Sequence, residues 1–239
     1  MTKTNVAIII LLLIIAVIAI SPYVLFLEMV KHSKKYSCTH IPREKLSNVY
    51  FTLKTGDIIL FTSASNLPGS ATITKTFFTH IGVILRDGEH VYMSEAQSGL
   101  ELMPDPNNPD VDIRMSPGVA LTPFLTRTKH YNGGVYAMQL ARPLDSESAE
   151  RITTAAESLY IERYPYPSIS QIMLGVTGVG WSGARHCFQH TAYLLSLAGL
   201  FKPDFDAFNV CSEICELSEK PLPREDNYYL QPVEILYDI

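Results

Sequence analysis

A chain of 239 residues with 47% hydrophobic and 18% charged residues is expected to form one globular domain with an appendage, which excludes a disordered or fibrous protein. The net charge of −5 and the pI near 5.8 leave no basic field for binding phosphate backbones. Nucleic acid is therefore not an expected partner.

The N-terminal part of the chain is strongly apolar. Residues 6–20 are uninterrupted apolar side chains, and this character continues to residue 30 with Glu28 as its main exception. A helix needs roughly 20 apolar residues to cross a bilayer core, so residues 1–30 are predicted to be a transmembrane anchor. A cleaved signal peptide is the alternative, because Lys3 provides a weakly basic start.

The stretch after the predicted anchor, residues 31–48, is polar and basic and is interpreted as a tether. It contains several lysine and arginine residues, whereas Lys3 alone precedes the anchor. The positive-inside rule then predicts a single-pass membrane protein whose C-terminal domain, residues 49–239, faces the cytoplasm.

Cysteine content points to thiols rather than to a disulfide framework, since four cysteines are sparse for a chain of this length. Cys211 and Cys215 have a spacing that zinc can use, but no second pair follows them. Buried or half-exposed thiols are the preferred interpretation. The sequence therefore predicts neither a metal nor a cofactor.

The domain begins with a turn at Gly56 and Asp57 that leads into an apolar strand, and Asp57 is expected to hydrogen-bond its own turn. A loop over residues 63–75 follows. Two strands over residues 80–85 and 90–96 are joined by an Asp-Gly turn, which predicts a hairpin.

Five prolines between residues 104 and 123 predict an irregular excursion. Residues 134–140 alternate as a strand does, and Asp145 is the predicted N-cap of a helix that continues to Tyr160. A second helix is predicted from Cys187, with Gly199 as its C-terminal stop.

Two separated segments carry the chemistry. His80 begins a strand-like apolar run, and Cys187 occupies the first turn of a helix, where the helix dipole lowers a thiol pKa. A thiol needs a base to become a nucleophilic thiolate. The combination predicts a cysteine hydrolase or acyltransferase, although each residue taken alone is more often structural.

At Gly56-Asp57-Ile58, Thr79-His80-Ile81-Gly82-Val83, Ser94-Glu95-Ala96 and His186-Cys187, the chain resembles the circularly permuted branch of the NlpC-type papain-like superfamily. That branch includes YiiX-like proteins, lecithin retinol acyltransferase and its relatives, and members from large DNA viruses. The resemblance covers residues 53–200 and implies an α+β fold, with a small antiparallel sheet or half-barrel packed on the cysteine-bearing helix.

The resemblance also implies roles for individual residues. Cys187 matches the family nucleophile, His80 the general base, and Glu95 the polar residue that orients the imidazole. His90 is an alternative to Glu95, and His186 and His190 are competing bases beside the cysteine.

The backbone N–H of Cys187 is a plausible oxyanion donor because it lies at a helix start. Tyr166, Gln189 and His186 are further neighbours in sequence. A thioester on Cys187 would pass its acyl group to water or to a second nucleophile.

Three functions remain open from the sequence. The first is a membrane-anchored thiol hydrolase or acyltransferase acting on an amide or ester, including lipid acyl groups. The second is a peptidase or amidase acting on peptide or cell-wall-type amides. The third is a catalytically silent interaction module. The expected partners are a membrane and a lipid or peptide acyl substrate, with no protein partner identified.

Overall fold

The computed structural model describes residues 41–62, 78–99, 102–105, 108–114, 116–129, 131–167, 184–201, 222 and 227–237. The strands in these ranges are β1 (Arg43–Lys45), β2 (Ile58–Phe61), β3 (His80–Asp87), β4 (His90–Gln97), β5 (Leu102–Asp105), β6 (Asn108–Arg114), β7 (Gly118–Pro123), β8 (Val135–Met138) and β9 (Val233–Leu236). The helices are α1 (Leu46–Thr52), α2 (Phe124–Lys129), α3 (Ser146–Ile161) and α4 (Cys187–Leu197).

A seven-stranded mixed sheet organises the described residues, in the order β1-β9-β8-β2-β3-β4-β7. Strand β1 runs parallel to β9, and the other neighbouring pairs are antiparallel. Strands β5 and β6 form a separate antiparallel pair. The strands that carry the candidate site, β3 and β4, are flanked in this sheet by β2 and β7.

Helices pack on both faces of the sheet. Strand β2 shows this directly, because all four of its side chains are buried. Ile58 and Leu60 join a core cluster with residues of α3 and α4, whereas Ile59 and Phe61 join a second cluster with residues of α1 and α2. A strand that is buried on both faces reads as a continuous apolar run, and the sequence of β2 has that character.

The predicted fold class is wrong in its sheet. A small antiparallel sheet or half-barrel was expected, but the sheet has seven strands and a mixed topology. The difference arises at one edge, where Arg43–Lys45 pairs in parallel with Val233–Leu236. These strands lie at opposite ends of the described chain, so no local hydrophobic pattern reveals their pairing. The predicted boundary between tether and domain, at residue 49, falls inside helix α1.

The predictions of an N-terminal transmembrane helix and of a single-pass membrane protein with a cytoplasmic-facing domain are also contradicted. Within the described ranges, no helix is long and apolar enough to cross a bilayer. The longest of them, α3, has 16 residues and includes charged side chains, whereas a span needs about 20 apolar residues. The predicted anchor, residues 1–30, lies outside the described residues.

Several local predictions are confirmed. The Asp-Gly hairpin forms between β3 and β4, with Gly88 at a positive φ of 57°. Asp145 caps α3 by accepting a hydrogen bond from the backbone N–H of Ser148 at 2.7 Å. Helix α4 begins at Cys187, and Gly199 follows it at a φ of 71°.

The prediction of an irregular excursion between residues 104 and 123 is wrong. The chain there contributes to β5, β6 and β7. Proline is tolerated at strand ends and at edges, where its missing N–H is not needed, and Pro123 is the last residue of β7. The predicted loop over residues 63–75 lies outside the described residues.

Asp57 binds its own turn, as the sequence predicted. Its Oδ2 accepts from the backbone N–H of Lys54 at 2.8 Å, and its Oδ1 accepts from the N–H of Leu140 at 2.8 Å. The side chain is fully buried. Asp57 therefore joins the turn before β2 to the residues that follow β8.

We expect Asp57→Ala to lower the free energy of unfolding by about 2–4 kcal/mol, because two N–H groups lose their acceptor. Urea denaturation measures this change. Glu157→Ala, on the exposed face of α3, is the control and should change stability by less than about 0.5 kcal/mol. An Asp57→Ala protein as stable as this control would contradict the structural role of Asp57.

Candidate active site

Strands β3 and β4 stop pairing with each other at the end that carries the candidate residues. Their ladder stops at the Val83–Ser94 pair. Residues 80–82 continue in β3 through pairing with β2, and residues 95–97 continue in β4 through pairing with β7. Beyond the Val83–Ser94 pair the two strands are no longer paired with each other, and this break in the ladder is called the gap below.

The gap is bridged by side chains. Nε2 of His80 lies 2.5 Å from Oε2 of Glu95, and the other carboxylate oxygen, Oε1, accepts a hydrogen bond from Nε of Arg127 at 2.7 Å. The Glu95 side chain is inaccessible to solvent, and that of Arg127 is 2% exposed. His80, Glu95 and Arg127 thus form a buried chain of charged hydrogen bonds.

Arg127 is held in place by aromatic rings as well as by Glu95. Its guanidinium carbon lies 4.8 Å from the centroid of the Phe61 ring and 5.3 Å from that of Tyr131. Such contacts favour a desolvated cation. Sequence reasoning missed Arg127, since Arg127 and Lys129 in the last turn of α2 look alike as a pattern. Only burial distinguishes them.

The first turn of α4 positions Cys187. The preceding residue, His186, has an extended backbone, and its carbonyl accepts the N–H of His190 at 2.9 Å. The Gln189 side chain accepts from the His186 N–H at 3.2 Å, which fixes the start of the helix. Cys187 is 6% exposed and is a free thiol. Its own N–H belongs to the first turn, where helical N–H groups have no intrahelical acceptor.

Cys187 and His80 shift each other's pKa in opposite directions. Burial opposes ionisation of the thiol, but the charge of His80 and hydrogen bonds from His186 and His80 lower the pKa of Cys187 from 9.0 to about 6. Burial likewise opposes protonation of His80, but the thiolate charge and hydrogen bonds to Cys187 and Glu95 raise the pKa of His80 from 6.5 to about 10. Both shifts favour the thiolate form of Cys187 and the imidazolium form of His80.

Glu95 is ionised throughout the range between the pKa values of Cys187 and His80. Burial would raise its pKa, but the positive charge of Arg127, together with the hydrogen bond and charge of His80, lowers the pKa of Glu95 from 4.5 to about 2. The buried charges therefore alternate along Cys187, His80, Glu95 and Arg127 and sum to zero, which is how charges are tolerated away from water. Because Nε2 of His80 is bound to Glu95, Nδ1 is the nitrogen that serves Cys187.

The alternatives to these residues are placed elsewhere or are engaged differently. His190 is buried with Nε2 2.9 Å from Oγ of Ser94, and burial together with the charge of Arg185 lowers the pKa of His190 from 6.5 to about 3. It stays neutral at ordinary pH. His90 is exposed at the hairpin end of β4, opposite Asp87, and so lies at the far end of the strand from the gap.

The three residues that are neighbours of Cys187 in the sequence analysis, Tyr166, Gln189 and His186, have different contacts in the structure. Gln189 is used by its side chain in the helix cap. His186 contributes a hydrogen bond to the Cys187 thiolate. Tyr166 packs against the core cluster that includes Cys187. Hydrogen bonds from His80 and from His186 thus both lower the pKa of Cys187.

Cys211 and Cys215 lie outside the described residues. Within the described part of the chain, no group of three or more histidine, cysteine, aspartate or glutamate side chains is arranged to hold a metal ion.

No protein-family model matches the chain, and no curated protein matches it. Among solved structures it is similar to the metalloprotein YiiX from Escherichia coli O157:H7, with 17% sequence identity and a TM-score of 0.44. The match covers 77% of this chain and 97% of that one. At this identity and TM-score the likeness carries no functional argument.

Proposed function

We propose that the chain is a thiol hydrolase or acyltransferase that forms a thioester between Cys187 and the acyl group of an amide or ester. One observation carries the proposal: a cysteine at a helix start is paired with a histidine whose second nitrogen is bound to a buried carboxylate. This is the arrangement of nucleophile, base and orienting group that acyl transfer requires. Kinship with the permuted NlpC-type superfamily is part of the proposal, on the order of His80, Glu95 and Cys187 along the chain.

In the first half-reaction, the Cys187 thiolate attacks the acyl carbonyl carbon and forms a carbon–sulfur bond. His80, already protonated, donates its Nδ1 proton to the leaving group as the bond to that group breaks. In the second half-reaction, His80 takes a proton from water or from another nucleophile, which attacks the thioester carbonyl. The carbon–sulfur bond then breaks and the thiolate is restored.

Glu95 and Arg127 act through His80 and not on the substrate. The carboxylate fixes the ring so that Nδ1 faces the thiol, and it stabilises the imidazolium. Arg127 keeps the carboxylate ionised. The backbone N–H of Cys187, in the first turn of α4, is the proposed donor to the oxyanion that develops on the acyl carbonyl.

The pH dependence of thiol alkylation tests the ion pair. We expect iodoacetamide to modify Cys187 with a rate that rises through an apparent pKa of about 6, because the thiolate is the reactive form. His80→Ala should move this pKa up towards the 9.0 of an ordinary thiol. Glu95→Gln should give an intermediate value, since it removes the negative charge that favours the imidazolium. Mass spectrometry of the Cys187 peptide separates its signal from that of the other cysteines.

Glu157→Gln, an exposed substitution on α3, provides the matched control and should leave the profile unchanged. An apparent pKa that is the same in wild type and in His80→Ala would contradict the ion pair. A wild-type alkylation rate that rises with an apparent pKa near 9.0 would also contradict the ion pair, and it would contradict Cys187 as the proposed nucleophile.

A further inference from the structure

Gln97 lies at the end of β4 where β3 and β4 are no longer paired. It is the last residue of β4, two residues beyond Glu95, so the two side chains project from the same face of the sheet about 7 Å apart along the strand. Its register partner on β7 is Gly118, which offers no side chain. Continuing the β3–β4 register past the end of the ladder places Gln97 opposite His80.

The carboxamide of Gln97 is buried without hydrogen bonds. The residue is 2% exposed, and neither Oε1 nor Nε2 has a hydrogen-bond partner. Among the described residues, only Gln97 has two buried side-chain polar atoms of this kind. Asp57 and Tyr229 show the usual situation of a buried structural group: Asp57 accepts from two backbone N–H groups, and the Tyr229 hydroxyl donates to the carbonyl of Gly56. Buried polar groups normally have partners, so this pair of unused atoms indicates a ligand position.

We propose that Gln97 binds the acyl side of the substrate, and that the substrate is a peptide-type acyl group whose N–H and C=O lie next to the scissile bond. The inference rests on the proposed function, because Gln97 shares its strand and face with Glu95. Oε1 accepts from the N–H of one extended substrate residue, and Nε2 donates to the C=O of the same residue. A simple carboxylic ester has a C=O for Nε2 but no N–H for Oε1, so the acceptor of Gln97 stays without a partner.

This pairing follows from the chemistry of the carboxamide, which carries an acceptor and a donor side by side. A site built to hydrogen-bond a substrate N–H discriminates strongly against an analogue that lacks it, because the buried acceptor is then left unpaired. Gln97 thereby determines specificity for the acyl group through the acceptor Oε1 and adds Nε2 as a donor to the scissile carbonyl, while bond formation and proton transfer stay with Cys187 and His80.

Two esters with the same leaving group test the proposal. The p-nitrophenyl ester of N-acetyl-L-alanine carries the N–H next to the scissile carbonyl, and p-nitrophenyl butyrate has an acyl chain of similar length without it. We expect wild type to prefer the first ester in kcat/KM. Gln97→Met should reduce the ratio of the two kcat/KM values about 10- to 100-fold. The same substitution should raise the melting temperature, because it removes two unpaired buried polar atoms.

Gln139→Met is the matched control: Gln139 donates to Thr52 away from the gap, and its substitution should leave the ratio unchanged. Should Gln97→Met fail to fold, Gln97→Leu gives the same comparison. An unchanged ratio in a folded Gln97 variant overturns the proposal, as does a lowered melting temperature with both esters affected equally. Failure of the proposed function is a separate result, in which Cys187→Ala hydrolyses both esters as fast as wild type.

Discussion

Cys187→Ala is expected to abolish covalent labelling by a thiol-directed acyl probe and to lower kcat/KM by about 10⁴-fold or more. The physical reason is that the thioester cannot form without the sulfur, and a base and an oxyanion donor alone accelerate acyl transfer only modestly. Labelling is measured by intact mass and turnover by release of the leaving group. His80→Ala should cause a loss of similar order, because the residues of such a catalytic unit act together and removing one of them costs about as much as removing all of them.

Cys211→Ala provides the matched cysteine control, since it removes one thiol from a sequence position that is remote from the His80 strand. Its labelling and turnover should equal those of wild type. Undiminished labelling and turnover in Cys187→Ala would end the assignment of the nucleophile. A protein in which every variant is equally inert towards acyl probes would instead support the silent interaction module.

Arg127→Met is expected to lower the free energy of unfolding by about 3–5 kcal/mol. Removing one partner of a buried ion pair leaves the other charge without compensation, which costs far more than the pair contributes when intact. Here Glu95 loses its bond to Arg127 and keeps only His80. Urea denaturation measures the change. Labelling of Cys187 by the acyl probe should slow as well, since the pKa of Glu95 rises without the Arg127 charge and a protonated carboxyl group no longer favours the imidazolium.

The double variant Glu95→Gln/Arg127→Met separates this explanation from lost packing. It should be more stable than Arg127→Met, because no uncompensated carboxylate remains. Arg43→Met is the surface control: Arg43 pairs with Glu234 at 2.7 Å but is 67% exposed, so its loss should cost less than about 1 kcal/mol. A double variant less stable than Arg127→Met would show that packing around Phe61 and Tyr131 dominates.

Much of the local structure near the site could be predicted from the sequence, because short-range signals specify it. An Asp-Gly pair determines the hairpin between β3 and β4, and an aspartate followed by a helical pattern determines the start of α3. An apolar stripe at helical spacing predicts α4 from Cys187, and Gly199 predicts where the helix ends. Each signal acts over a few residues, where backbone conformation and capping depend mainly on neighbours in the chain.

The sheet and the anchor were less predictable. The parallel pairing of Arg43–Lys45 with Val233–Leu236 joins segments about 190 residues apart, and a three-residue strand has too short a pattern to detect. The apolar run at residues 6–30 has the composition of a span, yet composition alone does not establish a helix across a bilayer. Prolines between residues 104 and 123 suggested irregular structure. A proline fits in a strand only where its missing N–H is not needed for pairing, and the sequence alone does not show which positions are paired.

By itself, the sequence determined the order of the candidate residues, His80, Glu95 and Cys187, and the strand or helix on which each one lies. Only the tertiary structure decided what surrounds them. The parting of β3 and β4, the buried Arg127 behind Glu95 and the unpaired carboxamide of Gln97 all depend on contacts between distant segments. Proximity favours the charged forms of the Cys187 thiol and the His80 imidazole although burial opposes both, because their mutual attraction strengthens where water is excluded. That property belongs to the folded arrangement and not to any local stretch of chain.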